Sequence, residues 1–194
     1  MRYCSIWMFL FLFCTAPVLC LEREQSVLVP DYGKFQFAGN IGFFSLGAGY
    51  EFLQRTVQAD FMYGFVPKSE GGKEIHSITL KMTIAPGRIY LGKGYEWVPV
   101  QFGGFANFAI GDNYKLIWPG YYPRNYYHST SFNSGEFIGM RIGKKLSENS
   151  VIDKIDIYAE IGTLTIYIHD YINSDYIDFG DIFNLALGVT VYFK

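Results

Sequence analysis

Phe43-Phe44-Ser45-Leu46-Gly47-Ala48-Gly49-Tyr50-Glu51-Phe52, a short Leu53-Gln54-Arg55 break, and then Val57-Gln58-Ala59-Asp60-Phe61-Met62-Tyr63-Gly64-Phe65 form the stretch that decides the fold. In the first run Phe44, Leu46, Ala48, Tyr50 and Phe52 alternate with Ser45, Gly47, Gly49 and Glu51. In the second, Val57, Ala59, Phe61, Tyr63 and Phe65 alternate with Gln58, Asp60, Met62 and Gly64. Period-two alternation places each set on its own face of a strand, and two such runs around a tight turn predict a hairpin. The two faces are unequal in an unusual way. The apolar one is continuously bulky, and the other is small or polar with a few charges.

Working outward, the same rule recurs and no stretch after residue 24 keeps a 3.6-residue period. Ile78, Leu80, Met82 and Ile84 oppose Ser77, Thr79, Lys81 and Thr83. Val98, Val100, Phe102, Ala106 and Phe108 oppose Gln101, Gly103 and Asn107. Residues 132–143 are a less regular strand, and Ile155, Ile157, Ala159 and Ile161 oppose Asp156, Tyr158, Glu160 and Gly162. Phe183 to Phe193 closes the set. Seven strands are marked, and parity in closed barrels calls for an eighth, placed at Lys34–Gly39 with a first turn near Asn40-Ile41-Gly42. The expected fold is an all-β, antiparallel, up-and-down transmembrane β-barrel of eight strands spanning residues 34–194.

Alternation alone does not separate a water-soluble barrel from a membrane one, because each hides one face of every strand. Composition does. A soluble barrel puts its apolar face inward and spreads charge outside, whereas glycine, hydroxyl and amide side chains suit the narrow lumen of a small barrel and bulky ones suit lipid. The lumen is then expected to hold Glu51, Asp60, Lys81, Arg141 and Glu160, which carry both signs and can pair across it. A plugged interior follows.

The N-terminus agrees with export. Arg2 precedes an apolar run from Ile6 to Phe13, too short to span a bilayer, and residues 1–20 read as a secretory signal peptide cleaved after Cys20. Acylation of Cys20 as a lipoprotein is the alternative, for which Leu19 is a poor preceding residue. Residues 21–33 form a lead-in. Cys4, Cys14 and Cys20 all lie in the leader, so the mature chain has neither a disulfide nor a thiol nucleophile. Loss of Arg2 takes the formal net charge from −2 to −3, which gives nucleic acid no basic field. Sixteen tyrosines favour an interface between water and lipid.

The leader, the Gly47-Ala48-Gly49-Tyr50-Glu51-Phe52 stretch and the aromatic end of the last strand together resemble the small eight-stranded outer-membrane β-barrel proteins of Gram-negative bacteria. The resemblance implies outer-membrane lipid and lipopolysaccharide as surroundings. It also implies recognition of the last strand by the barrel-assembly machinery, with Phe193 as the signal residue although Lys194 follows it. Connections of alternating length put 67–73, 111–130 and 165–181 on the cell exterior. In the second of these, Tyr114, Trp118, Tyr121, Tyr122, Tyr126 and Tyr127 form an exterior aromatic loop.

Chemistry is sparsely signalled. No His or Cys spacing suits a metal, and His169-Asp170 near Asp175, Asp178 and Asp181 lacks the order of a calcium loop. No cofactor is expected. Lipid A deacylases of similar size use Ser, His and an acid near the lipid boundary, which draws attention to His128, Ser129, Ser131, Ser134 and Glu136. In that family one residue separates His from Ser, whereas here His128 adjoins Ser129, as His76 adjoins Ser77. The leading expectation is a non-enzymatic outer-membrane protein with a structural or surface-interaction role. Acyl hydrolysis through His128, Ser129 or Ser131 with Glu136 is one alternative, and a periplasmic lipocalin-like carrier is another. N-terminal sequencing of the exported protein is expected to begin at Leu21, and a lipid-modified Cys20 would reverse this.

Overall fold

The computed structural model describes residues 29–111, 114, 130–147, 150–174 and 176–194. Its strands are β1 (Tyr32–Ala38), β2 (Phe44–Phe52), β3 (Val57–Val66), β4 (Ile75–Ile84), β5 (Ile89–Gly92), β6 (Tyr95–Ile110), β7 (Phe132–Lys145), β8 (Ile152–Leu164) and β9 (Asn184–Phe193). Two short helices, α1 (Lys68–Gly71) and α2 (Thr165–Asn173), and a 3-10 turn at Phe179–Ile182 lie in the connections. Every pairing is antiparallel. β1 pairs with both β2 and β9, and β4 pairs with β6, so eight strands close on themselves. The expected hairpin forms between β2 and β3, with Phe44 opposite Phe65 and Phe52 opposite Val57.

The inversion of faces is plain. Leu46 is 65% exposed, Phe61 56%, Leu80 56% and Leu187 47%, whereas Asp60 is 3% exposed, Lys81 4%, Arg141 4% and Glu160 3%. The bulky face of each strand looks out, and the small and polar face looks in. Glycine makes this interior possible at its narrowest points. A Cβ on Gly188 would lie 2.3 Å from the Tyr158 ring and 2.5 Å from the Phe35 carbonyl oxygen, so the tyrosine occupies the volume that any side chain would need. Gly49 makes the same room for Tyr32.

The structure departs from the sequence-based expectation in four places. The first strand begins at Tyr32 rather than Lys34. β5 is a ninth strand in a stretch expected to be a plain connection. It hairpins onto the start of β6 through Gly92-Lys93-Gly94, all three with positive φ, and does not enter the closed ring. The connection after β8 contains α2, an element whose Ile and Tyr spacing is too short to stand out. Val98, expected on the outer face, is buried inside, because a bulge between Val98 and Gln101 shifts the parity of β6.

Apolar side chains also reach the lumen. Ile41 from the β1–β2 turn, Met62 of β3, Phe105 of β6 and Phe137 of β7 form one buried cluster, with Leu164 packed against it. It caps the interior at the end where α1 and α2 lie. Beneath it remains a cavity of about 20 Å³, lined by Gln36, Ile41, Lys81, Phe137 and Glu160 among others, which is room for about one water. Gly188→Ala is expected to lower the stability of the folded barrel by about 1–3 kcal/mol through overpacking against Tyr158 and the Phe35 carbonyl. A urea titration of the folded barrel measures this, and an unchanged midpoint would contradict the packing.

Candidate functional site

Two regions concentrate chemistry: the charged lumen and the rim around β7. The lumen is positioned by parity alone, since alternate residues of eight strands converge on one axis. In its middle layer Lys34 of β1 donates to Asp60 Oδ2 of β3 at 2.7 Å, and the Tyr32 hydroxyl donates to Asp60 Oδ1 at 2.6 Å. Lys81 of β4 pairs with Glu160 of β8 and donates to Gln36 Oε1 at 3.2 Å. The other Glu160 oxygen accepts from Gln101 Nε2 at 3.0 Å. The Lys81 ammonium also stands 4.2 Å from the centroid of the Phe137 ring, so it joins the polar layer to the apolar cap.

The layer below is built on Arg141 of β7. Its Nη1 donates to Gln58 Oε1 at 2.6 Å, and its Nε lies 3.7 Å from Asp156 Oδ2, an electrostatic contact rather than a hydrogen bond. Lys154 sits 3.0 Å from the same carboxylate and 3.3 Å from Glu96. Gln58 Nε2 donates to Glu51 Oε1 at 3.1 Å and to the Tyr192 hydroxyl at 2.8 Å. At the turn end, Arg55 reaches Glu51 at 3.3 Å and Asp153 at 3.5 Å, and its carbonyl accepts from Arg88. Partial burial works against the Arg55 charge, but Glu51 and Asp153 outweigh it and hold the guanidinium above its ordinary pKa. Leu53, Gln54 and Arg55 all have φ between 50° and 70°, a strained left-handed run that these ion pairs help to hold.

All five residues expected in the lumen therefore face it: Asp60, Lys81, Arg141 and Glu160 are buried, and Glu51 lies at its lower mouth. Of their partners, the sequence places Asp156, Tyr158 and Tyr192 on the inward face without a role, and does not single out Lys34, Glu96, Lys154 or the Tyr32 hydroxyl. Their positions at inward parity were the available signal, most clearly for Asp156 and Tyr158.

At the rim the expected residues divide. His128, Ser129, Trp118, Tyr121, Tyr122, Tyr126 and Tyr127 lie outside the described residues, as does the leader. Tyr114 is described, its amide donating to the Gly111 carbonyl at 3.0 Å. The Ser131 hydroxyl donates to the Ala109 carbonyl at 2.9 Å. Glu136 is exposed on the outer face of β7, between Gly104 of β6 and Thr163 of β8. Ser134 on the same face has its hydroxyl 3.2 Å from that of Thr165, the first residue of α2. His76 faces outward with its Nδ1 2.5 Å from the Tyr63 hydroxyl, while Ser77 faces inward and donates to the Ile41 carbonyl at 2.9 Å. This adjacent pair is thereby split between the two faces of the wall. Phe193, the residue expected to carry the assembly signal, ends β9 with its side chain exposed.

No family model, curated protein or solved structure matches this chain.

The two members of an internal ion pair can be separated experimentally. Lys81→Met is expected to cost about 3–5 kcal/mol, because Glu160 is left buried without its counter-ion, whereas Lys81→Met combined with Glu160→Leu should recover much of the loss. Denaturant midpoints of both variants, compared with the single Glu160→Leu change, give the coupling, and additive effects would show that the pair does not interact.

Proposed function

We propose that the chain is an outer-membrane β-barrel with a structural or surface-interaction role, its filled lumen making a rigid mount for the connections at the end where α1 and α2 lie. The observation that carries this reading is the inversion of faces, with ion pairs within and exposed Leu, Ile and Phe without. In water such an exterior would be a very large apolar patch, far beyond what a soluble monomer tolerates. Against hydrocarbon it is the low-energy arrangement, because closure leaves no unpaired strand edge in the ring and every ring strand hydrogen-bonds on both sides. The signal-peptide reading of residues 1–20 and the aromatic content point the same way.

A carrier role finds little support by comparison. Small-molecule sites commonly enclose about 300–1,000 Å³, while the cavity beneath the cap is about 20 Å³. Its lining is also committed, since Lys81 and Glu160 are paired with each other.

Several measurements test this proposal together. Expressed protein is expected in the outer-membrane fraction, with faster migration on gels before boiling than after it. Recovery from the soluble periplasm would end the membrane reading. Planar-bilayer recordings are expected to show no large stable channels, and such channels would refute the filled lumen. Leu80→Arg, at the middle of β4, is expected to cost about 2–4 kcal/mol of folding free energy in vesicles, because it places a cation on the lipid face. A barrel whose outer face meets water would be indifferent to that change.

A further inference from the structure

We propose that the outer face of the barrel around Glu136 is a binding site for the primary ammonium of a lipid headgroup; the inference rests on the membrane reading above. The outward residues of β6, β7 and β8 are otherwise dominated by bulky apolar side chains, among them Phe102, Ile138 and Ile161 on the turn side of Glu136 and the Phe108–Phe132 ring pair, 4.9 Å between centroids, on the other. Between these lies a notch. Glu136 is exposed in it, Gly104 stands opposite on β6 with no side chain, and Thr163, itself buried, forms the floor on the β8 side. The Ser134 and Thr165 hydroxyls, 3.2 Å apart, form its upper margin.

Depth and charge then select the occupant. Thr163 is the penultimate residue of β8, which ends at Leu164, so Glu136 lies at the rim on that side, at the level where headgroups meet acyl chains. Among the described residues Glu136 has neither an ion-pair nor a hydrogen-bond partner, in contrast to the acids of the lumen. A carboxylate on a lipid-facing wall is costly unless a counter-charge accompanies it. A primary ammonium supplies a positive charge with three donors, enough for the carboxylate and a neighbouring hydroxyl, and a headgroup delivers it from the side on which Glu136 is open. The absence of a side chain at Gly104 leaves room for the approach: a Cβ there would meet a single atom, the Gly135 carbonyl oxygen at 3.3 Å.

The test uses the full-length mature barrel in nanodiscs of equimolar phosphatidylethanolamine and phosphatidylglycerol, with co-retained lipid counted by native mass spectrometry. The wild-type protein is expected to retain the ethanolamine lipid in about fivefold preference, or ~1 kcal/mol. Glu136→Gln should reduce the ratio to about one. Gly104→Val, which keeps the carboxylate and fills the notch, should do the same and stands as a second variant should Glu136→Gln fold poorly. Equal retention of the two lipids by the wild type would overturn the site, as would a preference that survives both substitutions. Heat-modifiable migration of the same samples separates the two levels of the argument: a folded barrel without lipid preference rejects the site alone, and failure to insert at all rejects the membrane reading and the site with it.

Discussion

The pairing of opposite charges inside a ring of glycines is the constraint on which the rest of the barrel depends. A closed ring of eight strands leaves an interior just wide enough for side chains, and here that space is given to groups that cannot be buried singly. Lys34 has Asp60, Lys81 has Glu160, and Lys154 has both Asp156 and Glu96. Removing one member of the Lys34–Asp60 or Lys81–Glu160 pair leaves a charge in a medium where its uncompensated cost is several kcal/mol. These pairs join strands that are not ladder neighbours, β1 to β3 across the intervening β2 and β4 to β8 across the lumen, and so add ties that the sheet hydrogen bonds do not make.

Such a core fixes what can lie at either end. The lower layer is continued by Arg55 and Arg88 in the connections and by Glu51 and Asp153 at the strand ends, an extension of the same alternation of sign. The upper layer instead ends against Ile41, Met62, Phe105 and Phe137, with the Lys81 ammonium over the Phe137 ring at the boundary. The molecule is thus polar and wet-facing at one mouth, and closed by an apolar cap at the other, where the longer connections leave. On the proposed reading, this asymmetry suits a barrel that is assembled from one side of a membrane and presents loops on the other.

Much of this was legible in the chain because period two is a strong signal when both faces are distinctive. The Phe43–Phe65 hairpin, the last strand and the inward parity of Asp60, Lys81, Arg141 and Glu160 all rest on it. What escaped has identifiable physical causes. Lys34 and Asp60 are 26 residues apart and Lys81 and Glu160 are 79 apart, so their partnership depends on the stagger of the closed ring, which no local pattern encodes. Val98 escaped because a bulge reverses parity for the rest of its strand. Phe105 and Phe137 sit at inward positions where polar residues were expected, and they blurred the alternation of β6 and β7 while forming the cap. β5 is four residues between turn formers and gives periodicity nothing to work on.

Glu136 gains its meaning from the rule that the other acids obey. In the lumen, Asp60 and Glu160 sit where a counter-ion arrives from another strand, Lys34 and Lys81 respectively. On the outer face, no wall stands opposite, so the chain itself cannot provide the partner. A barrel wall that is apolar on either side of this position, yet glycine and threonine across from it, has lost both the bulk that hydrocarbon would favour and the cation that a carboxylate requires. Both deficits are met by the same kind of molecule, one with a cationic head held at the rim by its own acyl chains. The outer face would then complete its charge balance with the surrounding lipid, as the interior does with its lysines and arginines.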